Sequence, residues 1–122
     1  MLNATIARVR EDELPKLRAW LASLGERRDE LGESYRRQGT RHELFFLVRA
    51  RGQPLLVLIS ELDDVEQASS AFLRSDFPLD VEFKTLFQQV SPELADVELL
   101  YDSSAYVPAA RGLTPLEEPD GD

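Results

Sequence analysis

The sequence predicts an α+β domain in which a four-stranded antiparallel sheet carries its helices on one face. Two observations lead there. The segments with strand and helix patterning follow one another in the order β-α-β-β-α-β, and the two middle strands are joined by a short turn. The chain also reads as two β-α-β halves joined by a hairpin, with no sequence repeat between them beyond that order.

The first strand is read over residues 2–10, where Leu2, Ala4 and Ile6 alternate with Asn3, Thr5 and Ala7. Glu11-Asp12-Glu13 with Pro15 then marks a helix start. Acids there complement the unpaired N–H groups, and proline suits the first turn. Leu14, Leu17, Leu21 and Leu24 form a stripe that continues through Arg28, Leu31 and Tyr35. One long helix is therefore expected to run to Gln38 and close on Gly39 in a left-handed cap. Gly25 and Gly32 weaken it by about 1 kcal/mol each relative to alanine, and a bend is expected near Gly25.

Residues 41–50 form the second strand, with Arg51-Gly52-Gln53-Pro54 as a turn into a third over residues 55–62. Asp63-Asp64 caps a helix over residues 65–73. Ser75-Asp76-Phe77-Pro78 breaks it, and a further helix carries Leu79, Phe83, Leu86, Phe87 and Val90 on one stripe. Ser91-Pro92 ends that helix, and residues 97–101 are read as the last strand. Residues 1–104 are thus one ferredoxin-like domain. Residues 105–122, acidic and proline-containing, are expected to be a disordered tail in which Tyr106 and Val107 are the residues best placed to touch the body.

Composition narrows the function. The 122-residue chain carries a net charge of −9, with 23 acids against 14 bases. That acidic excess argues against nucleic acid, and the twelve arginines among the bases are scattered along the chain and so are not read as a phosphate site. There is no cysteine, so disulfides, thiolate metal sites and a cysteine nucleophile are excluded. No apolar run is long enough for a membrane span, and a soluble cytoplasmic protein is expected. Phosphate-loop, dinucleotide and serine-hydrolase motifs are lacking, and a lone histidine cannot build the usual zinc or triad sites. No metal and no cofactor is expected.

The middle strands predict a partner. His42, Leu44, Phe46 and Val48 share one face, while Glu43, Phe45, Leu47 and Arg49 share the other. Leu56 and Leu58 oppose Leu55, Val57 and Ile59 in the same way. Both faces are apolar, so the face without helices needs a cover, each large side chain there being worth roughly 1.5–3 kcal/mol on burial. A second copy packed sheet on sheet is the expected cover, and the tail folding back is the alternative.

Leu17-Arg18-Ala19-Trp20-Leu21, Arg41-His42-Glu43-Leu44-Phe45-Phe46 and Ser75-Asp76-Phe77-Pro78-Leu79-Asp80-Val81-Glu82-Phe83-Lys84 resemble the dimeric α+β barrel superfamily. Within it, they look like a group of small bacterial and archaeal domains of unknown function. The resemblance spans most of residues 2–102 and implies the fold and the homodimer, but no activity. The resembled pattern often places a histidine after the acid of the last motif; Phe83 stands there in this chain, so no metal or acid–base role is implied for that loop.

The candidate chemistry is sparse. His42 titrates near neutrality and is adjacent to Glu43, the pattern of a general base oriented by a carboxylate, or of a plain edge residue. Glu43, Glu61 and Glu98 sit among apolar strand residues, where desolvation suits acid–base work and an ion pair with Arg49 or Arg8 is the structural alternative. Arg28 interrupts the leucine stripe and is expected to reach Asp80 or Glu82. Trp20 and Tyr35 suit an amphipathic pocket wall or plain core. Asp76 and Asp80, flanking Pro78, are read as a cation pair or as helix caps. The catalytic candidates are thus His42, Glu43 and Tyr35, and the ligand-binding candidates Trp20, Arg28, Asp80, Glu82 and Glu98. The favoured reading is a homodimeric module that binds a small molecule or a protein without catalysis. The other is a cofactor-independent enzyme, of monooxygenase or isomerase type, using a cavity between sheet and helices.

Overall fold

The computed structural model describes residues 1–91 and 93–105. Strand β1 spans Leu2–Arg8, followed by a 3-10 turn at Glu11–Glu13 and helix α1 at Leu14–Ser23. A second 3-10 turn at Leu24–Glu26 leads into helix α2, Arg28–Gln38. Strands β2, Thr40–Ala50, and β3, Gln53–Leu62, precede helices α3, Val65–Arg74, and α4, Pro78–Val90. Strand β4 is Glu93–Leu94, and Ser103–Ala105 form a last 3-10 turn. The open sheet is antiparallel in the order β2-β3-β1-β4. Among the described residues no helix is long and apolar enough to cross a membrane.

The expected single helix over residues 14–38 is two helices. Arg27 has φ −125° and ψ 43°, outside the helical region, just after Gly25, whose lack of a side chain favours a break. The break serves packing: α1 lies against α4, and α2 against both α3 and α4. Helix α2 carries Asp29 and Glu30 in its first turn and Arg36 and Arg37 in its last, matching the helix dipole at both ends. It closes on Gly39 at φ 73°, the left-handed cap that the sequence predicts. Asp64 caps α3 by accepting from the Gln67 amide at 2.8 Å.

The β2–β3 hairpin turns on two residues. Arg51 (φ 56°) and Gly52 (φ 78°) both adopt positive φ, the twist that a two-residue hairpin loop needs. At its other end β2 carries an irregularity, because Thr40 pairs with Leu62 but His42 with Glu61. Arg41 is the extra residue of a β-bulge. The bulge lets Thr40 and Glu43 face the same side of the sheet, where strict alternation would oppose them.

The last strand falls earlier than the expected residues 97–101. The chain leaves α4 at Ser91, whose hydroxyl donates to the Arg8 carbonyl, and pairs at once with β1 through Arg8–Glu93 and Ala7–Leu94. The Ala95 amide adds a bond to the Ile6 carbonyl at 2.8 Å. Continuing this register would turn Asp96 and Glu98 toward the helices, where a charge is costly to desolvate. Residues 95–102 carry no regular structure, and Val97, Leu99, Leu100 and Tyr101 are exposed. Tyr106, Val107 and the rest of the expected tail lie outside the described residues.

The core gathers at one end, where Val9, Leu14, Leu17, Leu56, Leu86 and Val90 are buried together and Leu47 packs on them. Phe45, Leu47, Leu56 and Leu58 face the helices; Leu44, Phe46 and Val48 face away and are 43, 48 and 41% exposed. Val57, Ile59 and Ile6 join them on that open face through the strand register.

Candidate functional site

Beside this core, residues of the sheet and of the helices line a cavity of about 530 Å³. One wall is aromatic. Phe83 of α4 is its hub, with ring centroids 5.1 Å from Trp20, 5.5 Å from Phe72, 5.9 Å from Phe45 and 4.6 Å from Phe87. All five rings border the space. They come from α1, β2, α3 and α4, so no short stretch of sequence contains the wall.

The other wall is polar and has two linked parts. Tyr35, in the last turns of α2, donates its hydroxyl to Glu43 of β2 at 3.1 Å. Ser60 of β3 donates to the other Glu43 oxygen at 3.3 Å. Behind them lies Asp80 in the first turn of α4, only 2% exposed. Asp80 accepts from Ser34 at 2.5 Å and from Gln38 at 3.3 Å on one oxygen, and from Ser75 at 2.6 Å on the other. Thr40 donates to Gln38 at 3.2 Å and so ties the bulge to this network. Glu43, Asp80, Tyr35, Ser60 and Thr40 all line the cavity.

Electrostatics follow from that burial. Desolvation pushes the Glu43 carboxyl above its ordinary range; the hydrogen bonds from Tyr35 and Ser60 oppose this, and the nearby Asp80 charge adds to it. Desolvation, with the Glu43 charge next in weight, drives the Tyr35 hydroxyl well above its usual value. Tyr35 is therefore a donor, not a base.

The structure brings together some candidates and separates others. Tyr35, Glu43, Trp20 and Asp80 meet around one cavity. His42 does not join them: it is exposed, pairs in register with Glu61 and faces the opposite side of the sheet from Glu43. Glu43 cannot orient it, because neighbours on a strand point to opposite faces. The expected contact of Arg28 with Asp80 or Glu82 is made by Arg27 instead. Arg28 opens α2 at the surface, while Arg27, at the break between helices, binds Glu82 at 2.7 Å and Glu30 at 2.7 Å. Glu82 also accepts from the Trp20 indole at 3.1 Å. It is exposed, held below the usual carboxylate range by Arg27 and then Trp20, and it braces the outside of the ring cluster.

Glu98 is exposed on the irregular segment after β4, not on a strand. Glu61 is on the open face, 3.9 Å from the Met1 amino group. Arg49 and Arg8, the expected partners for these acids, pair with Glu11 and Glu93. Asp76 is exposed whereas Asp80 is buried, so the two do not form a cation pair. Sequence reading missed Ser34, Gln38 and Ser60. The available signal was their polar character at positions turned toward the sheet, or toward the helices from β3.

Fold and lining together define an α+β protein with an aromatic cavity closed by a hydroxyl-and-carboxylate wall. The sequence profile of a family of unknown function, DUF6176, matches residues 2–106, and the chain belongs to that family. No curated protein matches the chain, and no solved structure does.

Proposed function

We propose that the protein is a cytoplasmic, ferredoxin-like homodimer that binds a small molecule, without a cofactor, in the cavity between sheet and helices. The observation that carries the binding reading is the cavity itself. A space of about 530 Å³ falls in the usual range for small-ligand sites, about 300–1,000 Å³, and it combines apolar walls with a few convergent polar groups.

The ferredoxin-like reading is supported by the sheet order, which from the β4 edge runs β4-β1-β3-β2, with the helices turned to one side. The homodimer reading is supported by the open face. Leu44, Phe46 and Val48 are exposed beside Val57, Ile59 and Ile6, forming a flat apolar strip across three strands. A second sheet is the shape that matches it, and a two-fold pairing buries both strips at once. The cytoplasmic reading rests on the cysteine-free composition.

Trp20 is the only tryptophan and borders the cavity, so its fluorescence reports occupancy directly. Native mass spectrometry of freshly purified protein tests both readings. A dimer carrying extra mass per subunit, whose removal changes Trp20 emission, is the expected result. A bare monomer at tens of micromolar would end the dimer reading. Phe46→Glu should yield a folded monomer by circular dichroism, because it places a charge in the middle of the strip.

A second reading, a cofactor-independent enzyme of isomerase or monooxygenase type, is favoured by Glu43 alone. A carboxyl with a raised pKa beside a neutral phenol is suited to proton transfer. Turnover that disappears in Glu43→Gln while ligand binding persists would select it over simple binding.

A further inference from the structure

Glu43 and Asp80 share the cavity, yet neither has a basic partner. Among the described residues, ion pairs join Glu11, Glu13, Glu30, Glu33, Glu61, Asp63, Glu82 and Glu93 to a cation. Those acids are all at the surface or near it. The two carboxyls in the cavity are held by hydroxyls and an amide alone. Lys84, the one basic residue on the cavity wall, directs its ammonium to the Leu73 and Ser75 carbonyls at 3.1 and 2.7 Å.

The two acids differ in what they have left to offer. Asp80 accepts three side-chain hydrogen bonds and is sealed from solvent. Glu43 accepts one on each oxygen, and a carboxylate has about four acceptor sites. Glu43 is therefore the wall's free acceptor. The five aromatic side chains gathered around Phe83 line the same cavity, and the negative faces of aromatic rings attract cations. An anionic ligand would meet two carboxyls, with the one cation on the wall, Lys84, already held by two carbonyls and the Phe72 ring. A neutral one would leave the Glu43 charge desolvated without a counter-charge.

We infer that the cavity takes a small organic ammonium, with its N–H donors on Glu43 and its hydrocarbon body against the rings around Phe83. This rests on the reading of the cavity as a binding site and names the ligand class. The titratable groups that share the cavity with Glu43 are Tyr35 on α2 and Asp80 and Lys84 on α4; α3 contributes Ser69 and Phe72.

The test titrates the full chain with three isosteric probes, followed by Trp20 fluorescence and calorimetry at pH 7. They are protonated 2-phenylethylamine, neutral 2-phenylethanol and anionic phenylacetate. The ammonium should bind at least about tenfold tighter than the alcohol, as expected of a charge-assisted hydrogen bond, and phenylacetate weakest. Glu43→Gln should lose that preference and bring ammonium and alcohol affinities within about twofold of each other, since it removes the charge that distinguishes them. Ammonium affinity should fall from pH 7 to pH 5 in the wild type and stay flat in Glu43→Gln. The ranking of the three probes on the wild type needs no variant, so a folding defect does not spoil the test. Alcohol binding as tight as the ammonium would overturn the ammonium class and leave the cavity reading standing. Silence from all three at millimolar concentration would overturn both.

Discussion

The Tyr35 hydroxyl donates to Glu43 at 3.1 Å, linking the end of α2 to β2 across the Gly39 cap and the Arg41 bulge. Glu43 turns toward the helices with Phe45, and the bulge brings Thr40 to the same side, where it joins the network through Gln38. The contact is the hinge of the polar wall, and removing it has a defined signature. Tyr35→Phe leaves Glu43 with Ser60 as its remaining donor. The loss should be about 1–2 kcal/mol in urea denaturation at pH 8 and smaller at pH 5, because the bond is stronger to an ionised carboxylate. Equal losses at both pH values would mean that Glu43 keeps one charge state across that range.

Glu43 itself should make stability fall with pH. Its folded pKa is raised by burial above that of the unfolded chain. The folded state therefore holds this proton more tightly. The contribution is fully present below the unfolded value, about 4.3, and is lost as pH rises through the folded value. Glu43→Gln mimics the protonated form. It should match the wild type near pH 4 and exceed it at pH 8, read from chemical denaturation across that range.

Asp80 is the opposite case, an acid whose oxygens serve the fold. Asp80→Ala strands the donors of Ser34, Gln38 and Ser75 in a buried site. A loss of about 2–4 kcal/mol is expected. Asp80→Asn keeps one oxygen acceptor and should cost less. If the two variants were equally stable, the three hydrogen bonds would carry little of the fold's free energy.

Gly39 and Gly52 both need positive φ, at 73° and 78°, but differ in surroundings. A Cβ at Gly39 would be 3.3 Å from Asp63 Oδ2, whereas nothing lies within 4 Å at Gly52. Alanine at Gly52 should cost about 1 kcal/mol for the backbone alone. At Gly39 it should cost more, and thermal unfolding of the two variants side by side gives the order.

The sequence by itself determined the local elements. The Gly39 cap, the Asp64 cap, the Pro78 helix start and the turn at Arg51-Gly52 are short-range features, written in two to four consecutive residues. The doubly apolar strands were legible for the same reason. The sequence did not determine which face of β2 meets the helices, since Leu44-Phe46-Val48 and Phe45-Leu47 serve either side equally well. Tertiary structure decided that. Helix packing took Phe45, Leu47, Leu56 and Leu58, which by alternation turned Glu43 inward and His42 outward, and the bulge at Arg41 brought Thr40 to the same face. The choice between Arg27 and Arg28 was settled the same way, by a helix break that removes one residue from the stripe. A period-2 strand exchanges every side chain on a one-residue shift. The identity of the buried acid is therefore a property of register, and register is fixed by contacts far apart in the chain.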